Sequence, residues 1–350
     1  MASEPLTNDR IGEILWRASR DESGHRRQAL ERAARAARFW PEEAGGLTTA
    51  GRPLTELHAV GPWVAARIES LLDAPPPAVE ADEIRAGYLT MAQVRRVLDV
   101  EPAWEATPHG DLQVHSTDSD GSLPLRDMAM AARDVGRTFI ACTDHSQSLK
   151  IAGGMDADRM LDQGRRIDAL NEELARSADG FRVLKSIEMD VFVDGSGDTE
   201  PHLLAGLDLV LGAFHTKLRS TDDMTERYLA ALRNPTVQVL AHPTARMYGR
   251  RRGLVADWPR VFEEAARLGK AMELDATASR QDLNVDLARV AVSAGVRWFS
   301  IGSDAHSAFE LGFLPFGMAT AALAGVPQER VLNYRSVEEI VAWADALRSS

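Results

Sequence analysis

Cysteine is nearly absent from this sequence. Its 350 residues include one cysteine, Cys142, so an intramolecular disulfide is excluded. Cys142 lies in the apolar run TFIAC, which indicates a buried and unreactive thiol. Long apolar runs are absent too, because no stretch approaches the roughly 20 apolar residues that span a membrane. The N-terminal segment MASEPLTNDR has no signal-peptide core, so we expect a cytoplasmic protein without a membrane partner.

Positive charge is also scarce. The chain has 40 lysines and arginines against 52 aspartates and glutamates, and its formal net charge is -12 at pH 7. Because such an excess of negative charge repels phosphate, it argues against a protein that coats nucleic acid without specificity, although local basic patches remain compatible with it. With 45% hydrophobic and 26% charged residues, the chain is typical of a globular protein of one or two domains.

The first part of the chain has a helical pattern. From Asp9 to Ala74, apolar residues recur at three- and four-residue spacing and no strand pattern interrupts them, so residues 1–75 are predicted to form a small all-α domain. The run Pro75-Pro76-Pro77 ends the pattern. Residues 76–107 are predicted to form a linker, with a short helix from Met91 to Leu98.

Residues 108–350 have a different pattern, in which short β-branched runs alternate with amphipathic stretches. This alternation predicts βα units with a mainly parallel sheet. The candidate strands cover residues 111–115, 138–143, 182–189, 207–215, 236–242, 270–276 and 296–303. Helices are predicted over residues 125–132, 157–175, 257–268 and 283–294. Seven such strands predict a distorted seven-stranded (β/α) barrel, whose functional residues lie at the C-terminal strand ends.

Histidines and carboxylates cluster at these strand ends. Five of the nine histidines lie at or just after predicted strands: His115, His145, His215, His242 and His306. Four carboxylates share their motifs: Asp120, Asp144, Glu188 and Asp304. Imidazole nitrogen and carboxylate oxygen are ligands of zinc, manganese and iron, whereas a thiolate site would need more cysteines. A single histidine at a strand end is more often a packed residue, but five together predict a metal site.

The segments GDLQVHSTDSDG, TDHS, IEMDV, AFH, AHPTAR and SDAH resemble the ordered motifs of the polymerase and histidinol phosphatase (PHP) superfamily. Within it, AHPTAR and IAGG (Ile151 to Gly154) are most similar to the C-terminal PHP domain of bacterial family X DNA polymerases. The resemblance implies two to three divalent ions. It assigns the first to His115, Glu188 and Asp304, the second to Glu188, His215 and His242, and the third to Asp120, His145 and His306.

Gln113 departs from the superfamily pattern, because a histidine usually stands at this position of the first motif. A glutamine offers only a weaker oxygen ligand, and Gln113 is therefore the doubtful member of the ligand set. Such clusters suit phosphoester hydrolysis by a metal-activated water, with Glu188 and Asp304 central to the chemistry. Lys217 and Arg246 closely follow two ligand motifs and could neutralise phosphate charge.

The segment LTELHAVGPWVAARI (Leu54 to Ile68) resembles a helix-hairpin-helix. Such hairpins bind DNA phosphate through backbone N–H groups at a helix N-terminus. The resemblance assigns DNA contacts to Val60, Gly61 and Trp63, while Ala59 stands where the first glycine usually falls. An ordinary αα-hairpin without a ligand explains the segment equally well.

No polymerase palm fits between the helical part and the PHP part, so templated synthesis is not expected. We therefore expect a metal-dependent phosphoesterase, most simply a 3′-5′ exonuclease or 3′-phosphatase that processes DNA ends in repair. A small-molecule phosphomonoesterase of the histidinol phosphatase type is the alternative, which the acidic charge favours. A third interpretation, from another class, is a non-catalytic scaffold that binds metal only for stability.

Overall fold

The computed structural model describes residues 6–77, 81–107, 109–176 and 180–349. Contacts within the chain divide it into two compact units, and the boundary falls between Val100 and Glu101. The finer division into residues 1–75, 76–107 and 108–350 stays a prediction, and its edges at residues 1, 108 and 350 lie outside the described residues. None of the helices in the described ranges is long and apolar enough to cross a membrane.

The first unit is helical, as predicted. Its helices are α1 (Asn8–Ala18), α2 (Gly24–Ala36), α3 (Ala44–Thr49), α4 (Pro62–Asp73) and α5 (Met91–Val100). Apolar residues on the inner faces of α1, α2 and α4, among them Ile11, Leu30 and Ile68, form one core together with Trp40. A buried ion pair joins Glu13 to Arg85 at 2.8 Å, and it satisfies two charges that burial would otherwise leave unpaired.

The second unit alternates strands and helices. Its strands are β1 (Asp111–Val114), β2 (Phe139–Cys142), β3 (Arg182–Asp190), β4 (Leu209–Ala213), β5 (Val239–Leu240), β6 (Ala271–Asp275) and β7 (Trp298–Gly302). Its helices are α6 (Ala103–Ala106), α7 (Leu125–Asp134), α8 (Ala157–Leu174), α9 (Pro201–Leu204), α10 (Thr225–Arg233), α11 (Trp258–Leu268), α12 (Val285–Ser293), α13 (Leu314–Ala324) and α14 (Val337–Arg348). All seven predicted strands are present, although β5 is shorter than expected.

The strands form one parallel sheet in the order β1-β2-β3-β4-β5-β6-β7. The two edge strands approach each other, because Val114 and Ala305 form a parallel bridge and the His115 N–H donates to the Ala305 carbonyl at 2.9 Å. The sheet is therefore a nearly closed barrel, and the predicted fold class is confirmed. Closure brings every C-terminal strand end to one rim.

Polar residues line part of the barrel interior, whereas apolar residues face the surrounding helices. Val114, Ile140 and Cys142 pack against α7 and α8, so Cys142 is buried in an apolar cluster, as expected for an inert thiol. On the inner side, Gly302 leaves room for its neighbours. A Cβ at this position would lie 2.5 Å from both the Gln113 Cβ and the Glu273 Oε1, so the interior needs a glycine here.

Candidate metal centre

The predicted ligands converge on the C-terminal rim of the barrel. Each is carried by a strand or by the residues that follow it: His115 after β1, His145 after β2, Glu188 in β3, His215 after β4, His242 after β5, and Asp304 and His306 after β7. Asp120 lies on the loop that follows His115. Because the strands are parallel, their C-terminal ends all lie at the same end of the barrel. Residues that are far apart in sequence therefore become neighbours at this rim.

The ligand atoms form three groups, each with all of its atoms within 4.8 Å of one another. The groups are His115, Asp120, His145 and His306; then His145, Glu188 and His215; and then His115, Glu188 and Asp304. Every pair of groups shares one residue, which is His145, Glu188 or His115. The three groups are therefore one continuous cluster rather than three separate sites.

Glu188 lies at the centre of the cluster, and its two oxygens face different partners. The Oε1 atom lies 2.7 Å from the His242 Nε2 and 3.1 Å from the His215 Nε2. The Oε2 atom lies 3.3 Å from the His115 Nε2 and 3.4 Å from the His145 Nδ1. On the side of Oε2, the His115 Nε2 also lies 3.1 Å from the Asp304 Oδ1. A carboxylate in this arrangement can bind two cations, one with each oxygen.

The third group is the most open to solvent. The Asp120 Oδ1 lies 3.2 Å from the His306 Nε2 and 3.6 Å from the His145 Nε2. The side chains of Asp120 and His306 are 36% and 29% exposed, whereas those of Glu188 and His115 are fully buried. The cluster is therefore open to solvent on the side of Asp120.

Asp144 holds the loop that carries Asp120, although it is not itself part of a ligand group. Its carboxylate accepts hydrogen bonds from the Ser116 N–H at 2.8 Å, the Ser116 hydroxyl at 2.7 Å and the Ser119 hydroxyl at 2.5 Å. The Gln163 amide on α8 donates to it as well, at 2.6 Å. Asp144 therefore ties the loop between β1 and α7 to the end of β2 and to α8.

The geometry of the donors fits divalent cations. Within the described residues, both ring nitrogens of His115 and the Nδ1 atoms of His145 and His215 are buried without a hydrogen-bond partner. Carboxylate oxygens of the ligand groups nevertheless lie 3.1 to 3.4 Å from two of these four atoms, the His115 Nε2 and the His145 Nδ1. Ligands bound to a tetrahedral ion at about 2.1 Å are themselves about 3.4 Å apart, so this spacing is what metal coordination requires.

The electrostatics of the cluster are dominated by burial and by the proximity of opposite charges. Burial lowers the pKa of His145 to about 4, so its imidazole is neutral near pH 7 and can bind a metal. Burial also acts to lower the pKa of His215, but Asp190 and Glu188 outweigh it and raise the value to about 9. For Glu188, the surrounding histidines outweigh burial and hold its pKa well below the ordinary value.

Two further residues reach the cluster that the sequence analysis did not single out. The Asp190 Oδ1 lies 3.4 Å from the His215 Nδ1, on the side of the ring away from Glu188, where a carboxylate can orient a ligand histidine. Arg280, in the loop after β6, places its Nη1 3.2 Å from the Asp304 Oδ2. The sequence signal for both residues was their position at a strand end, since Asp190 ends β3 and Arg280 closely follows β6.

The two predicted phosphate-binding cations lie on neighbouring loops. Lys217 is exposed and follows β4 with a positive φ of 58°. Arg246 is buried after β5, and its charge acts to lower the pKa of Asp282, although burial keeps that pKa raised. The structure thus places both residues near the rim, and their role in binding phosphate stays a prediction.

The predicted DNA-binding residues lie at the start of α4 in the first unit. Val60 is buried, Gly61 is the N-cap of the helix, and Trp63 is partly exposed beneath the Arg26 guanidinium, which lies 5.5 Å from the ring centroid. Ala59 adopts a positive φ of 62°, a conformation that favours glycine. The backbone of this turn therefore has the left-handed conformation at residue 59 that a glycine adopts more easily than an alanine.

The fold and the site together define a (β/α) barrel with a cluster of His, Asp and Glu side chains that could hold metal ions. The chain is 37% identical over 235 residues to the DNA polymerase/3′-5′ exonuclease PolX of Bacillus subtilis (strain 168). The matched region covers 67% of this chain and 40% of that protein. It is also 29% identical over 236 residues to a probable phosphatase of Citrobacter koseri, and this matched region covers 64% of this chain and 89% of that protein. The chain belongs to the polymerase and histidinol phosphatase superfamily.

Among solved structures, the chain is similar to the histidinol phosphate phosphatase of Lactococcus lactis, which was solved in complex with zinc, L-histidinol and phosphate. The matched region covers 69% of this chain and 92% of the phosphatase chain. The TM-score is 0.40 and the sequence identity is 13%. No family model matches the chain. The chain spans 40% of the length of the Bacillus relative, less than half of that protein.

Proposed function

We propose that the chain is a metal-dependent phosphoesterase that hydrolyses phosphoester bonds with water as the nucleophile. The observation that carries this proposal is that every pair of the three ligand groups shares a residue. Because neighbouring groups have a ligand residue in common, cations bound in them would lie next to one another. Adjacent divalent cations suit phosphoester hydrolysis. A scaffold that used metal only for stability would need a single closed group of four ligands.

The ligands are proposed to hold two to three cations in the order that the family resemblance implies. His115, Glu188 and Asp304 would hold the first, Glu188, His215 and His242 the second, and Asp120, His145 and His306 the third. These sets differ from the three structural groups, in which His145 rather than His242 joins Glu188 and His215, and His115 joins the third group. Zinc, manganese and iron suit these nitrogen and oxygen donors. When bound, they supply charge neutralisation for the phosphate and lower the pKa of a water molecule.

The remaining polar residues of the rim would position the substrate and the ligands. Asp190 orients the His215 ring, and Asp144 holds the loop that presents Asp120. Arg280, Lys217 and Arg246 bring positive charge to the loops after β6, β4 and β5, where they are proposed to bind phosphate oxygens that do not react. No side chain of the protein has to act as a nucleophile in this arrangement.

We propose DNA ends as the substrate, through a 3′-5′ exonuclease or 3′-phosphatase activity in repair. The similarity to the Bacillus exonuclease supports this, as does the positive φ of Ala59, which stands where a helix-hairpin-helix usually has its first glycine. The alternative is a small-molecule phosphomonoesterase. Its support is the probable phosphatase of Citrobacter koseri, of which this chain covers 89%, and the net charge of -12.

A substrate panel with the full chain tests these proposals. We expect hydrolysis of an oligonucleotide with a 3′-hydroxyl or 3′-phosphate end, loss of this activity after treatment with a chelator, and recovery with Zn²⁺ or Mn²⁺. Primer extension with all four nucleotides should give no product. Turnover of histidinol phosphate with no turnover of oligonucleotides would select the alternative substrate, and turnover of neither would favour a scaffold.

A further inference from the structure

Two large apolar side chains are exposed on loops at the C-terminal rim. Ile151 is 96% exposed and Phe309 is 77% exposed. Most large apolar residues of a folded chain are at least half covered, and exposed apolar groups next to a functional site often mark contacts with a ligand. Neither side chain belongs to the metal cluster, and neither is needed to explain the core of the barrel.

Both side chains lie on loops that contact the loop carrying Asp120. Phe309 is three residues after His306, whose carbonyl accepts a hydrogen bond from the Ser122 N–H at 2.7 Å. This hydrogen bond places the loop that carries Phe309 against one side of the loop that carries Asp120.

Ile151 stands on the other side of the Asp120 loop. A Cβ at Gly153, two residues after Ile151, would lie 3.1 Å from the Ser119 carbonyl oxygen, so the two loops touch. Arg159 fastens them together, because its guanidinium donates to the Gly153 carbonyl at 2.8 Å and to the Asp118 carbonyl at 2.5 Å. Since β1 lies between β7 and β2 in the barrel, the loops that carry Phe309 and Ile151 lie on opposite sides of the Asp120 loop.

The Phe309 ring is held in place although it is exposed. It packs edge-on against Phe313, with ring centroids 5.5 Å apart, and Phe313 packs in a similar way against Phe316 at 6.2 Å. An aromatic ring that is braced on one side and open to solvent on the other is suited to stacking with a planar ligand. The exposed Lys150 lies next to Ile151 and adds a positive charge that suits a phosphodiester backbone.

From this arrangement we propose that Phe309 and Ile151 form a nucleobase subsite. Phe309 stacks on the base of the nucleotide that carries the reacting phosphate, and Ile151 contacts the same nucleotide from the other side of the entrance. The inference rests on the proposed activity on DNA ends and specifies how that substrate is chosen. A sugar phosphate has no flat aromatic face on which Phe309 could stack.

The test combines a change in the protein with a change in the substrate. Phe309→Ala and wild type are compared on two oligonucleotides that differ only in the 3′-terminal residue, which is a normal nucleotide in one and an abasic analogue in the other. We expect Phe309→Ala to lower kcat/KM about tenfold on the normal end. Wild type should show a similar reduction on the abasic end, where Phe309→Ala should cause no further decrease. Ile151→Ala should show the same pattern with a smaller effect.

Val135→Ala is the matched control, since Val135 is 48% exposed and follows α7 at the opposite end of the barrel. It should change neither rate. Equal decreases for Phe309→Ala on both ends, or no decrease on either, would overturn the subsite while leaving the proposed activity on DNA intact. If wild type cleaves neither oligonucleotide but turns over a small phosphomonoester, the activity on DNA fails and the subsite fails with it.

Discussion

Gln113 donates through its Nε2 to the Oε2 of Glu188 at 3.0 Å, while its own Oε1 is buried without a hydrogen-bond partner in the described part of the chain. Gln113 therefore touches the same carboxylate oxygen that faces His115 and His145. In this orientation the Gln113 amide donates to Glu188 and orients its carboxylate. If the amide were rotated by 180°, its oxygen would face the position of a cation instead. The residue that departs from the superfamily pattern thus lies inside the metal cluster.

Replacing Gln113 by histidine should strengthen the first metal position, because an imidazole nitrogen is a better ligand for zinc than an amide oxygen. We expect Gln113→His to release metal to a chelator about tenfold more slowly than wild type, and Gln113→Ala to release it faster. Elemental analysis over the course of dialysis measures both. Identical metal release from all three proteins would show that this position neither binds nor supports a cation.

Glu188→Gln should impair the protein more than His306→Ala. The carboxylate faces two histidine sets at once, so its neutralisation weakens two cation positions, whereas His306 belongs to the exposed group alone. We expect turnover to fall by about 100-fold or more for Glu188→Gln, and by less for His306→Ala. Metal content measured beside turnover should start at two to three ions per chain in wild type. A greater decrease for His306→Ala would contradict the bridging role.

Removing residues 1–100 should separate binding from chemistry, because all proposed metal ligands lie in the second unit. Turnover of p-nitrophenyl phosphate should stay nearly unchanged, and DNA affinity should fall. The salt dependence of DNA binding should become shallower by about 0.7 to 0.9 log units per log unit of salt for each DNA phosphate that the truncated protein no longer neutralises. If affinity and salt slope are the same with and without residues 1–100, the hairpin at Gly61 is an ordinary helical turn.

Glu264 should contribute stability that depends on pH. Hydrogen bonds from Arg267 and Arg233 lower its pKa from 4.5 to about 2 against the opposing effect of burial, and the bond from Arg233 joins α11 to α10. Because the folded-state pKa is lower than the unfolded one, this stabilisation is complete above about pH 5 and disappears as the pH falls towards 2. Glu264→Gln should therefore destabilise the protein at pH 7, by up to about 1 kcal/mol since both arginines are exposed.

Urea unfolding at pH 7 and pH 3.5 measures this effect as the difference between wild type and variant, which should shrink at the lower pH. Glu263→Gln is the control, since it removes the same charge from an exposed neighbour on the same helix. If the difference in unfolding free energy between wild type and Glu264→Gln is the same at both pH values, the Glu264 charge does not stabilise the fold.

The local sequence was sufficient to locate the strands and to place the ligands at their ends. Runs such as FIAC before the TDHS motif and LVLGA, which leads into the AFH motif, are apolar and short, which is the pattern of buried parallel strands. Once the strands are parallel, their C-terminal ends share a rim. The barrel fold and the convergence of the candidate ligands could therefore be predicted from local sequence, whereas the family was indicated by the resemblance of the ordered motifs.

Other features depend on which side chains meet across the barrel, and no local pattern encodes that. The division of the Glu188 oxygens between His115 on one side and His242 on the other follows from strand register and closure. The approach of Arg280 to Asp304 joins loops after two different strands, β6 and β7. The exposure of Ile151 and Phe309 could not be predicted either, since an apolar residue in a sequence is expected to be buried. Burial is a property of the packed molecule, and only the tertiary structure determined which apolar side chains the core leaves uncovered at the entrance.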